Sequence, residues 1–524
     1  MRRTEARRET LICLGLLTLV CAAVFGPHVF RGGFYSDDWA NAATYAFSPE
    51  PRLTHAIETI QDPLGARPLL AVALAIPQAV LGDHPSRHIA LALVLGVLAC
   101  ACFYALLREL GVETAHAGVI VILALLFPWA DSTKLWPTAG INEVAVILFL
   151  CGLLVALRAL QRRGRRAAWM HAAALVLYVA SVFTYEIAGA AILLAGALYL
   201  TRAPRALALR LWALDATVTV AALAASLALT IGVRPVGSIP GRIRDTAVFA
   251  RDLAAIFTSS VLPGVPRPVG AGLLAVFAAF VLSRLRAVPP ASRASALRWL
   301  IRAGVALAGV GAAAVMIAGS GLFPGSEGGA NRGNILIALP FAAMLWSLAM
   351  AAAQVLFAGS RARVRPAVLT AVLAVIVTGY VARAYDDQQD WQRAHDIASR
   401  SLAAVKSHVP RPAPHTTLYM FGVPSRVAEH IPVFEANWDL NGAVELMWDD
   451  GTLHGYPVFD GVEVVCAPRA VYPSKADEFG TSEASSYGRA LFVDGRTGRW
   501  RPVADRADCL AALREFTPGP ETAS

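Results

Sequence analysis

Charge is scarce in this chain. Only 16% of its 524 residues are Asp, Glu, Lys or Arg, against 56% hydrophobic, and the mean hydropathy is +0.54. Such a balance excludes an ordinary soluble domain and fits a protein with many apolar spans. The sequence also lacks a His/Cys cluster at zinc spacing, a Gly-Lys phosphate loop and a nucleophile elbow. Internal repeats and coiled-coil heptads are missing as well. The net charge of +9 does not point to nucleic acid, because the arginines lie in short clusters between apolar runs and form no basic face on a soluble domain.

Cysteine is sparse, with seven residues. Cys13, Cys21, Cys100, Cys102 and Cys151 lie in apolar runs and read as small buried side chains. Cys466 and Cys509 lie in the polar tail, where an oxidising compartment would permit a disulfide between them. The first apolar run, 11–30, follows the basic segment MRRTEARRET and lacks a small-residue cleavage site, so it reads as a retained signal anchor.

Long apolar runs occupy 11–30, 88–107, 114–128, 141–158, 168–184, 186–201, 209–232, 268–285, 297–319, 334–357 and 366–382. Two shorter runs, 68–82 and 247–262, are ambiguous, since a 15-residue helix covers about 22 Å of a roughly 30 Å hydrocarbon core. Charge parity decides between them. With a cytoplasmic N-terminus and both short runs left uncrossed, the Arg-rich segments RREL, RALQRRGRR, TRAPRALALR, SRLRAVPPASRASALRWLIR and GSRARVR all fall inside. The short runs then lie along the outer membrane surface. This places a first outer loop at 31–87, further outer loops at 129–140, 233–267 and 320–333, and the tail outside.

The tail changes composition. It opens on DDQQDWQRAHDIASRSLAAVKSH, readable as a helix. TTLYMFGVP, GVEVVC and RALFVDGRTGRWRPV read as strands, the last as a hairpin turning at Asp494-Gly495 or Thr497-Gly498. FTPGPETAS reads as a frayed end. The expected fold is an all-α polytopic membrane protein of about eleven transmembrane helices with outer juxtamembrane helices (1–382), plus a small extracytoplasmic α+β domain (383–524).

Asp37 and Asp38 stand just beyond the first span, beside Gly32-Gly33, Tyr35 and Trp39. Either could simply cap the helix that follows. Adjacent carboxylates repel, however, so one is expected to carry a raised pKa or a bound cation, which suits proton transfer at the bilayer surface. Arg67 opens the segment RPLL, and Pro68 suits the first helical turn after it. Its guanidinium suits a bidentate phosphate contact or, more plainly, an interfacial anchor. Glu186 in SVFTYEIAGA lies at the outer rim, where a carboxylate is costly unless it faces a cavity or pairs with a cation. Lys134 in WADSTKLWPTAG and Arg332 in EGGANRGNILIALP are outer-loop cations, the latter among glycines that allow close backbone approach. Asp131 is a second outer-loop acid, Arg251-Asp252 a local ion pair, and Asp215 an acid within a span that water access or a hydrogen bond to a neighbouring helix explains more cheaply than a proton relay. Trp438, Asp439, Trp448, Asp449 and Asp450 in the tail suit either sugar stacking or a core with turns.

An acidic pair opening the first outer loop, a surface helix beginning RPLLAVALAIPQAVLG, and a span running into YALLREL resemble the GT-C superfamily of integral-membrane glycosyltransferases. That superfamily includes protein O-mannosyltransferases, aminoarabinose transferases and mycobacterial arabinosyltransferases. The resemblance covers residues 1–200 as an order of motifs. It implies a GT-C-like transmembrane domain, a polyprenyl-phosphate sugar donor and transfer with inversion, with Asp37 or Asp38 as the base. The acceptor would be an extracytoplasmic glycan, lipid or protein of the cell envelope. Arg67 and Arg332 would hold the leaving phosphate, Lys134 would assist them, and Glu186 would orient substrate or pair with an arginine. Members often carry Asp-Glu where this chain has Asp-Asp, so which residue is the base stays open. No metal ligand set is assigned; a divalent cation is left open as a cofactor. The implied setting is a bacterial plasma membrane, and high Ala and Arg usage suggests a GC-rich bacterial genome. The alternative is a polysaccharide or lipid transporter, which would concentrate ionisable residues at mid-membrane instead of at one rim; a third reading is a noncatalytic scaffold whose tail binds glycan.

Overall fold

The computed structural model describes residues 2–65, 67–230, 239–262, 264–319, 325–459, 462–474 and 484–517. The expected frayed end past Thr517, and parts of the 233–267 and 320–333 loops, lie outside those residues.

Among the described residues, nine helices are long and apolar enough to cross a membrane, and Pro68–Leu81, Thr114–Leu125 and Glu186–Tyr199 are shorter apolar helices. The nine, with the last two of the shorter helices, coincide with the eleven runs read from sequence, and the chain is a multi-pass membrane protein. Helices suit that setting because every interior backbone group is paired within its own segment. The 68–82 run forms the short helix Pro68–Leu81, and the 247–262 run ends the helix Ile239–Val261; neither is among the nine. Burial ranks the spans. In Pro137–Ala159 and Gly328–Leu356, 72% of the most apolar window is buried, against 6% in Arg267–Arg284, which turns Val276 and Phe280 outward.

The chain folds as two compact units. The first comprises Met1–Pro27, Ala92–Lys134 and Ala139–Asp387, and the second His28–Leu91, Leu135–Thr138 and Gln388–Ser524.

In the first unit, small residues set the helix spacing. A Cβ on Gly152 of helix Glu143–Ala159 would stand 2.9 Å from the Tyr178 ring of helix Gly164–Thr184. Only a bare backbone permits that approach, the usual device where helices pack in lipid. Asp215 is fully buried and answered by neighbouring helices, with Tyr199 donating to it at 2.6 Å and His171 Nε2 lying 2.9 Å away. Its cheaper sequence reading, a hydrogen bond to a neighbouring helix, matches these contacts.

In the second unit a four-stranded sheet runs in the order His454–Pro457, Thr417–Phe421, Ala490–Asp494, Trp500–Val503. The first three strands are parallel and the last pair forms the expected antiparallel hairpin. Thr417–Phe421 is buried at every position, which explains its unbroken apolar reading where a half-exposed strand would alternate. Tyr419, Phe421, Phe492, Val503 and Phe516 build the core. Cys466 and Cys509 are joined by a disulfide, tying a small second sheet to the helix Arg506–Phe516. The segment around Trp438 and Trp448 is a helix, Asn437–Trp448. It packs on the helix Asp37–Phe47, where a Cβ on Gly442 would stand 2.4 Å from the Trp39 carbonyl oxygen. The first outer loop thus belongs to the same unit as the tail.

The helix Arg365–His408 is one uninterrupted run of 44 residues. No proline interrupts it between Pro366 and Pro410, so the last apolar run and the polar stretch that opens the tail form a single element.

Candidate active site

The second unit holds the Asp37-Asp38 pair, and the backbone before it is strained. Ser36 sits at φ 42° and ψ −119° immediately ahead of the helix Asp37–Phe47, a region a non-glycine residue adopts only when its surroundings demand it. The reciprocal contacts of Tyr35 and Asp38 supply that demand. The Asp38 amide donates to the Tyr35 carbonyl at 2.9 Å, and the Tyr35 amide donates to Asp38 Oδ2 at 3.0 Å. The Tyr35 hydroxyl donates to the Trp391 carbonyl, and its ring meets Trp391 edge-on. Gly33 is required here, because a Cβ would fall 1.8 Å from His395 Nδ1.

The two acids therefore differ. Asp38 is 2% exposed, and its Oδ1 accepts from both the Thr138 amide (2.8 Å) and the Thr138 hydroxyl (2.6 Å). Thr138 follows Pro137 at the start of a helix, where amides have no intrahelical acceptor; the Asp38 carboxylate supplies one. Burial pushes the Asp38 pKa up to about 7, opposed by the Thr138 and Tyr35 hydrogen bonds and helped by the neighbouring Asp37 charge. Asp37 stays partly exposed. Arg67, 8% exposed, precedes the helix Pro68–Leu81.

The first unit holds a second acidic cluster. Asp131 is 1% exposed, and Asn331 donates to its Oδ1 at 2.8 Å while accepting from the Ser132 amide. Asp131 is held well above the usual carboxylate range, by burial first and by the charge of Asp387 second. Lys134 is 4% exposed and committed within the protein. Its Nζ lies 3.5 Å from Glu143 Oε1 and 3.0 Å from the Thr133 hydroxyl. Arg332 is partly buried beside the Gly329 carbonyl, and Glu186 is partly buried at the start of a short 3₁₀ turn. Among the described residues no three His, Cys, Asp or Glu side chains are grouped to hold a metal ion.

Among the solved structures similar to this chain are two of one protein. The crystal structure of ArnT from Cupriavidus metallidurans in the apo state is 13% identical, with a TM-score of 0.45, over 95% of this chain and 94% of that one. The structure of ArnT from the same organism bound to undecaprenyl phosphate is 12% identical, with a TM-score of 0.42, over 85% of this chain and 86% of that one. Likeness at that level gives no residue a role. No protein-family model matches the chain, and no curated protein matches it in sequence.

Of the residues singled out in the sequence, Asp37, Asp38 and Arg67 fall in the second unit, and Lys134, Glu186 and Arg332 in the first. For Lys134 the ion pair with Glu143 works against the expected phosphate contact, since a cation buried against a carboxylate is already neutralised. In the tail, Asp439 is fully buried and accepts from the amides of Glu435, Ala436 and Leu440, which withdraws it from sugar binding. Sequence reading missed Thr138, the partner that settles the state of Asp38. Its one local signal is Pro137, which marks a helix start and hence an amide in need of an acceptor.

Proposed function

We propose that the protein is a membrane glycosyltransferase that moves a sugar from a polyprenyl-phosphate donor to an extracytoplasmic acceptor of the cell envelope, with inversion. The N-terminus would be cytoplasmic and the tail domain outside, in a bacterial plasma membrane. The observation that carries the reading is the unequal state of the first-loop acids. Asp38 is buried and takes three donors, so it positions the loop; Asp37, partly exposed beside it, is the base.

In the proposed step the Asp37 carboxylate takes the proton of an acceptor hydroxyl. The acceptor oxygen forms its bond to the anomeric carbon as the bond from that carbon to the phosphate oxygen breaks. The bonding pair leaves with the phosphate, and a single displacement inverts the centre. Arg67 suits the phosphate by bidentate geometry, and Arg332 and Glu186 keep the donor-handling roles that the GT-C resemblance implies. Lys134 is assigned to its buried ion pair.

The test is an assay of the purified full-length protein against a panel of labelled polyprenyl-phosphate sugars. Transfer by the wild type, and its loss in a folded Asp37→Asn variant, is the expected result. Full transfer by that variant removes the mechanism, and sugar flux in proteoliposomes without covalent product would favour a transporter.

A further inference from the structure

A cavity of about 440 Å³ opens in the first unit, lined by Arg298, Arg302, Arg365, His116 and Trp299 among others. Three helices and the start of a fourth converge on it. His116 lies near the beginning of Thr114–Leu125, and Arg298, Trp299 and Arg302 lie in the first half of Pro290–Gly319. Gln354 is near the end of Ile335–Leu356, and Arg365 opens Arg365–His408. Asp131 and Asn331 lie beyond the other ends of Thr114–Leu125 and Ile335–Leu356. A 22-residue helix is about 33 Å long, a full hydrocarbon thickness. The cavity and the second acidic cluster therefore occupy opposite membrane boundaries of this unit.

The lining is built for a phosphate. Three guanidinium groups face one carboxylate, Glu113, whose side chain is 85% exposed and so largely hydrated. Arg302 lies 4.5 Å above the Trp299 ring, which holds the guanidinium by cation–π attraction without using its N–H donors. Arg365 is held from one side, where it donates to Gln354 at 2.7 Å, and Arg298 is exposed. The His116 ring stands edge-on to Trp299, and its Nδ1 accepts from the Trp346 indole N–H at 3.2 Å. An indole nitrogen only donates, so in the neutral ring the proton sits on Nε2, which lies 3.8 Å from the Glu113 carboxylate. The apolar wall of Trp299, Met350 and Leu369 adds a surface that a bare inorganic anion does not need.

The geometry points to a second anion site, separate from the acidic pairs, that binds a phosphate group through Arg298, Arg302 and Arg365. The phosphate is carried either by a lipid headgroup or by the free ion. Arginine-lined pockets at the positively charged end of a helix bundle are where anionic headgroups bind. This inference does not depend on the glycosyltransferase reading, and its readout is binding.

The experiment uses full-length protein in neutral detergent micelles, titrated separately with dioleoyl phosphatidate, dioleoyl phosphatidylcholine and inorganic phosphate. Binding is read by native mass spectrometry and by the shift in melting temperature. Phosphatidate is expected to bind and phosphatidylcholine to bind at least tenfold more weakly. The paired change Arg302→Gln and Arg365→Gln should weaken phosphatidate about tenfold, or ~1.4 kcal/mol. Arg298→Gln, at an exposed position that leaves packing intact, should weaken it severalfold. Arg284→Gln, an arginine stacked on Phe280 outside the cavity, should bind as wild type. Inorganic phosphate binding as tightly as phosphatidate, with the same loss in the variants, supports the site and identifies the free ion as its ligand. Equal binding of phosphatidate and phosphatidylcholine, or variants that bind phosphatidate as the wild type does, overturns the proposal.

Discussion

Asp37 and Asp38 are neighbours along the chain, whereas Asp131 and Asp387 come together from distant parts of it. The first pair divides its labour. Asp38 takes three donors and is buried, while Asp37 keeps contact with water. In the second pair, burial and the charge of Asp387 hold Asp131 well above the ordinary carboxylate range. Proximity of two acids therefore says little by itself. What decides their chemistry is how many donors each oxygen already has and whether water reaches it.

The widest separation between the pairs is expected in activity. Asp37→Asn should lower transfer by about 10³-fold, within the range of general-base contributions, while leaving the melting temperature within a degree or two of wild type. The measurement is turnover and thermal unfolding on the same preparation. An equal loss of activity and stability would show that Asp37 is structural too, and the contrast with Asp38 would collapse.

The next effect is on the pH dependence of stability. The Asp38 pKa is raised to about 7 in the fold, so between its ordinary value and about 7 the folded state holds a proton that the unfolded state has lost. Stability from this group is therefore present at low pH, falls as pH rises across that window and is level above it. The fall is ~4 kcal/mol as an order of magnitude. In Asp38→Asn, whose midpoint should be lower at every pH, that slope should be absent. Parallel wild-type and variant slopes would mean that Asp38 is not the buried titrating group.

Thr138→Val comes third. It removes the hydroxyl at 2.6 Å from Asp38 but keeps the amide donor, and should cost ~2 kcal/mol in thermal unfolding because the acceptor it leaves is buried. Thr138→Ser, which restores the donor, should recover most of that loss. A valine variant as stable as wild type would show that water replaces the hydroxyl.

Much of this arrangement could be read from the chain. The spans were legible because apolar length is a local property, and nine long helices plus two short ones match the runs. The strands around Leu418, Val464 and Leu491 were legible for the same reason. Strand order was not, because parallel pairing of Thr417–Phe421 with both neighbours depends on contacts far apart in sequence. Nor was the state of Asp38, which rests on Thr138, or that of Lys134, which rests on Glu143 one helix start away. The acidic pair announced itself by its position beside a span; which member is buried is a matter of tertiary contacts, which no local pattern encodes.

The smallest effect should come from Asp131→Asn. Since Asp131 is held well above the ordinary carboxylate range, the neutral acid is the form the fold prefers at neutral pH, and asparagine reproduces it. The amide oxygen can accept from Asn331 as Oδ1 does now. The expected change is under about 1 kcal/mol in stability, with transfer activity within a few fold of wild type. Asp131→Leu, by contrast, takes from the Asn331 amide the acceptor it now holds at 2.8 Å and should destabilise by ~3 kcal/mol. If Asp131→Asn folds as wild type yet loses activity as completely as Asp37→Asn, Asp131 works as an ion, and the second pair rather than the first holds the base.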